Sequence, residues 1–129
     1  MIDLTGSIRG TYKSVDGSAN ATLTVAQVTG TIISNQGQAA ANIALVLPVA
    51  VAGYSFTAVV GTTQAGNTWK FTAGGGDKIY LDGVSGTDGQ SAIVTPTIGN
   101  FITFFTFKSG AGTYDWIAQT GAGTWTAGV

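Results

Sequence analysis

The sequence predicts an all-β fold, an antiparallel β-sandwich or jelly-roll-like domain, on three observations. Thr, Val, Ile, Phe and Tyr recur in short runs, Gly, Asn and Asp separate those runs, and apart from Ala good helix formers are scarce. About eight to ten such runs succeed one another at spacings of roughly ten residues, as in sandwiches and related barrels. No internal repeat argues for a solenoid or propeller.

Taken in order, the first 20 residues, with Arg9, Lys13, Asp16, Gly17 and Ser18, carry the weakest pattern, which divides the chain into an N-terminal attachment arm or edge strand (1–20) and a β-sandwich domain (21–129). Leu23 to Ile33 reads as a strand pair hinged near Gly30, closed by the turn-rich Ser34 to Gln38. In Ala41 to Leu47 alternation puts Ile43, Leu45 and Leu47 on one face, and Pro48 removes a ladder donor and ends the run. Pro48 to Gly53 is a loop. Tyr54 to Val60 alternates as a half-buried strand, Gly61 to Asn67 is a polar turn, and Thr68 to Thr72 is a short strand.

After Gly74-Gly75-Gly76, Asp77 to Gly83 is a strand entering an Asp-Gly turn, and Val84 to Ser91 continues as a loop. Ala92 to Thr95 is another short strand before Pro96. The strongest run is Phe101 to Lys108: Phe101, Thr103, Phe105 and Phe107 face one way, Ile102, Phe104, Thr106 and Lys108 the other. Both faces are apolar, as expected of a strand covered on two sides. A turn at Ser109 to Gly112 leads into Thr113 to Gln119, and Gly123 to Thr126 closes the chain.

Chemistry is limited by what is missing. The 129 residues include no His, no Cys and no Glu, only six Asp and five basic residues, so most catalytic and metal-binding sets cannot be assembled. The expectation is a non-enzymatic protein with no cofactor, stable without disulfides. With Arg9, Lys13, Lys70, Lys78 and Lys108 scattered singly and a net charge of −1, neither nucleic acid nor an anionic membrane finds a basic stripe. The longest apolar stretch, Ala39 to Ala52, is broken by Asn42 and Pro48 and is too short to span a bilayer. No secretory signal is visible at Met1 to Leu4, so synthesis in a cytoplasm is expected. Charged residues make up 9% against an apolar 44%, which leaves little polar cover and predicts an oligomer.

Candidate sites each have a plainer reading. Asp77, Asp82 and Asp88 alternate with glycine and suggest a calcium loop, but Asp-Gly is also a hairpin turn, and the turn is favoured. Asp115, flanked by Tyr114 and Trp116, is read as a partner of Lys78 or Lys108 or as an exposed edge residue, with pairing slightly favoured; a glycosidase dyad with another aspartate ranks last. The Trp and Tyr side chains are core or subunit contact before they are a sugar platform. Trp125, between glycines near the chain end, is the candidate for exposure, and with Asp82 and Asp88 it marks a possible ligand surface. Gly74 to Gly76 lacks the lysine and helix of a phosphate loop.

The stretches Thr31 to Gln38, Leu45 to Pro48 with its continuation to Gly53, Asp77 to Gly83, and Phe104 to Gly110 leading into Tyr114-Asp115-Trp116 resemble the small β-rich modules of tailed-phage virions, found in head fibres, capsid decorations and tail fibres. The resemblance runs from Leu23 to Trp125 and rests on turn and core motifs. It implies a homotrimeric structural protein on the exposed virion surface, made in the host cytoplasm, with other virion proteins such as the major capsid or fibre protein as partners. Leu45, Leu47, Ile102, Phe104, Phe105 and Phe107 are then expected to form a core shared within and between protomers. The alternative is a receptor-binding tip whose loops, Gly61 to Asn67 and Asp82 to Gln90, touch a host surface glycan.

Overall fold

A computed structural model describes residues 13–128. The fold is all-β: β1 (Lys13–Asp16), β2 (Ala21–Thr22), β3 (Thr29–Ser34), β4 (Ile43–Val46), β5 (Ser55–Val59), β6 (Trp69–Thr72), β7 (Ile79–Leu81), β8 (Ser91–Val94), β9 (Phe101–Gly110), β10 (Thr113–Ala122) and β11 (Thr126–Gly128). Among the described residues there is one 3-10 turn, Ala26–Val28, and no α-helix. A six-stranded sheet has the order β1-β3-β5-β9-β10-β7, and a five-stranded sheet the order β11-β8-β6-β4-β2.

The sandwich-like layering agrees with the sequence, but the antiparallel expectation does not hold, because both sheets are mixed. From β1 to β8 the chain alternates between the sheets at every strand, and β3, β4, β5, β6 and β8 each lie beside the strand laid down two earlier, while β7 takes the far edge beside β10. Lys13 sits beside Thr31, Ile32 beside Thr57, Ala21 beside Leu45 and Ile43 beside Trp69, all in parallel pairs. The first six strands thus coil around the core, although no repeat is visible in the sequence. Alternation of side chains specifies a face, and it carries no information on which strand lies alongside. The coil is closed by antiparallel partners, β9 against β5 and β8 against β6, and by the long β9–β10 hairpin.

One core fills the space between the sheets. Phe56 and Phe104 stack at 4.7 Å, and Phe71 reaches across from the five-stranded sheet to Phe56 at 5.6 Å and Phe104 at 5.1 Å. Leu45, Leu47, Ile102, Trp69 and Trp116 complete the centre. Each such side chain contributes on the order of 1.5 to 3 kcal/mol through burial. Among the described residues the Trp116 indole N–H, buried there, has no acceptor, a local cost of about 1 to 3 kcal/mol that the surrounding ring contacts offset.

One sequence expectation changes. The segment before β3 is a 3-10 turn and not a strand, because Thr24 and Gln27 bond each other reciprocally: the Gln27 side chain accepts from the Thr24 N–H at 2.9 Å, and the Thr24 hydroxyl from the Gln27 N–H at 3.3 Å. Within the 1–20 segment, residues 1–12 lie outside the described residues, while Lys13–Asp16 is the edge strand β1. Gly17 follows as part of the body: its N–H donates to the Ser34 carbonyl at 2.7 Å and its carbonyl accepts from the Trp69 indole at 2.9 Å. A Cβ at this position would stand 2.7 Å from Ile33 Cγ2, so only glycine fits over the core here.

Candidate functional site

Strand alternation turns every second side chain away from the core, and the two sheets display different outer faces. On the six-stranded sheet, register aligns Ile32, Thr57, Thr103 and Gln119 in one row, and Ser55, Phe105, Ile117 and Tyr80 in another. Phe101 (39% exposed) lies beside Val59, and Phe105 is 36% exposed. Phe107 meets Tyr80 edge-on at 5.2 Å. Phe101 also covers Gly121, where a Cβ would collide with its ring, so the glycine lets the aromatic lie flat on the sheet. The outward residues of β3, β5 and β9 up to Phe107 include no charge.

The five-stranded sheet shows Ala44, Val46, Lys70, Thr72 and Ile93 outward, small or polar apart from Val46, Ile93 and the stem of Lys70, while Ser91 shares that side but is buried. Ser91 and Thr72 satisfy each other through their hydroxyls at 2.7 Å. At one end of this sheet, Thr95, Thr97, Asn100, Thr124 and Thr126 line an uncharged groove of about 530 Å³ with Thr68 and Ile93.

Of the six residues expected in an oligomer core, Leu45, Leu47, Ile102 and Phe104 lie inside the protomer, and Phe105 and Phe107 on its outer face. The expectation that β9 is covered on both sides is therefore met on one side only within the protomer. Trp125 is not exposed. It is 6% accessible, packs 6.3 Å from Trp69 and donates to the Ala122 carbonyl at 3.2 Å, because its position in the chain turns it inward beside β11.

The aspartates are engaged with backbone. Asp82 accepts from the Thr120 N–H and hydroxyl, both at 2.7 Å, while its own φ of +50° and the +85° of Gly83 form the anticipated Asp-Gly turn. Asp77 accepts from the Ala50 N–H, Asp115 from the Lys78 N–H, each at 2.7 Å, and Asp16 from the Ser18 N–H at 2.9 Å. The partner of Asp115 is thus the main chain of Lys78. Asp88 stays exposed on its loop. Burial raises the Asp77 carboxyl above its ordinary range, against the pull of the Ala50 bond, and the neighbouring Asp115 and Asp88 charges push the same way. Asp16 is lowered by its bonds to Ser18. Among the described residues, no three acidic side chains gather as metal ligands.

The two expected ligand loops are each tied to a different part of the fold. Gly61 and Thr62 are bonded through their N–H groups to the buried Asn35 at 2.7 and 3.0 Å, and Asn35 donates in turn to the Thr62 carbonyl at 2.8 Å and to Gln38 at 2.9 Å. Gln64 adds bonds to the Gln38 and Pro96 carbonyls. The other loop is held to β10 at Asp82 and to the Asp77 carbonyl at Gly89. Asn35 and Gln38 escaped the sequence reading because a buried amide and an exposed turn amide look alike in a Ser-Asn-Gln-Gly-Gln run. Comparison with known proteins finds no matching family model, no matching curated protein and no matching solved structure.

Proposed function

We propose that this chain is a non-enzymatic structural protein of a phage virion, a β-module that assembles as a homotrimer on the exposed particle surface, decorating the capsid or forming part of a head or tail fibre. The observation that carries the structural part is the use made of the polar side chains. Asp16, Asp77, Asp82 and Asp115 each clamp a backbone N–H, as do Asn20, Asn35 and Asn42. Groups spent in this way hold turns and strand ends in place and are poorly placed to bind and transform a substrate. The assignment to a virion draws on the resemblance between Leu23 and Trp125, and neighbouring virion proteins are the corresponding partners. Light scattering of the purified protein tests it. A mass near three times 13.0 kDa is expected, and a monomer at all concentrations overturns the proposal.

A second reading, a glycan-binding tip, is favoured by the threonine-lined groove, whose neutral hydroxyl and amide groups suit a sugar better than an ion. Binding on a glycan array that is lost in Asn100→Ala supports that reading; a blank array removes it.

A further inference from the structure

We infer that the outer face of the six-stranded sheet is the surface through which one copy of this chain binds another, with Phe101 and Phe105 at its centre. The inference rests on the proposed self-assembly and gives it a location. An antiparallel or mixed sheet with one face on the core ordinarily turns polar side chains to water. Here the outward row across β5, β9, β10 and β7 is Ser55, Phe105, Ile117 and Tyr80, with Phe105 its exposed aromatic; the next row, Ile32, Thr57, Thr103 and Gln119, stands between it and the exposed Phe101 beside Val59. Aromatic side chains on a rigid sheet lose little freedom on docking, which makes them effective anchors.

Charge identifies the occupant. When identical faces are brought together by symmetry, every exposed charge meets like charge near the axis unless it is offset by an opposite one. The outward side of the central strands β3, β5 and β9 up to Phe107 meets this condition by carrying none, and its Ser, Thr and Phe rows are compatible with themselves. Charge is kept to the flanking strands, where Asp115 on β10 stands beside Phe107 with its carboxylate on the Lys78 N–H and Asp16 on β1 stands beside Ser34, so a strongly charged partner finds no counterpart on the central strands.

Size agrees. Six strands of 3 to 10 residues at ~4.8 Å spacing and ~3.3 Å per residue give a face on the order of 600 Å², at the lower end of the ~600 to 1,000 Å² that each partner contributes to a stable interface. Addition at the sheet edges is the weaker route, because those edges are short. β2 has 2 residues, β7 and β11 have 3, and β1, with 4, carries Lys13 and Asp16.

The test is sedimentation equilibrium on the full chain, as wild type, Phe105→Lys and Thr22→Lys, with near-UV circular dichroism to check tryptophan packing in each. Phe105→Lys places like charges in the proposed contact and is expected to weaken association by at least about 100-fold, while Thr22→Lys, exposed on the opposite sheet, leaves it unchanged. A folded Phe105→Lys that associates like wild type overturns the location and leaves self-assembly standing. A wild type that is monomeric throughout overturns both. Should Phe105→Lys fail to fold, Phe105→Gln is measured in its place, with a smaller loss of association expected and unchanged association again overturning the assignment.

Discussion

The two sheets are alike on their inner sides and unlike on their outer ones. Inward, each presents large apolar groups to the same core: Phe56, Phe104 and Trp116 from one, Trp69, Phe71 and Leu45 from the other. Outward, one presents phenylalanines and the other small residues, hydroxyls and Lys70. Folding of the protomer accounts for both inner faces and for the small, polar outer face. It does not account for Phe101 and Phe105, whose exposure is a cost that the proposed association would remove. The difference teaches that alternation sorts side chains between two sides of a strand, while the covering of the second side is left, in the proposal, to a second copy.

The largest effect comes from separating the two sides of β9. Phe104→Ala, inside, should cost about 3 to 5 kcal/mol in denaturant unfolding, whereas Phe105→Ala, one residue along, should cost roughly 1 kcal/mol in dilute protein. Equal losses would erase the distinction between inner and outer faces. Next is Asn35→Ala, which strips four hydrogen bonds from the loops that fix the ends of β3 and β5. A loss of about 2 to 3 kcal/mol is expected, and hydrogen exchange should quicken first at Gly61 and Thr62.

On the opposite sheet, Ser91→Ala removes the hydroxyl pair with Thr72 and should cost about 1 kcal/mol without altering association. The smallest effect concerns pH. The Asp77 carboxyl is raised in the folded state, so its contribution is most favourable below the unfolded carboxylate value and is lost as pH rises through the folded one. Asp77→Asn can keep the bond from the Ala50 N–H and sheds the repulsion from Asp115 and Asp88. It should therefore melt slightly higher than wild type at pH 7, by less than about 1 kcal/mol, and equally at pH 3.

Much of the strand set was legible in the sequence. The alternation of Ile43 and Leu45, the stop at Pro48, the Asp82-Gly83 turn and the opposed parities of Phe104 and Phe105 all stand in the fold. Parity also named Phe105 as a side chain needing cover. What stayed hidden was non-local. Nothing in Lys13 to Ser34 says that β1 pairs in parallel with β3, because rungs of unequal length leave no repeat. Trp125 looked exposed because glycines flank it, yet the short strand β11 pairs with β8 and the indole turns towards Trp69. Asn35 and the aspartates read as turn formers. Their longer bonds, such as Asp82 to Thr120 and Asp77 to Ala50, join residues far apart in the chain and depend on the finished topology.

The contrast between the outer faces is tested most directly by hydroxyl-radical footprinting at rising protein concentration. Protection of Phe101, Phe105 and Tyr80 as the protein associates, with Ile93 on the other sheet labelled at a constant rate, is the predicted result. Labelling of Phe105 that stays constant while the mass increases, or protection of Ile93 in its place, would contradict it.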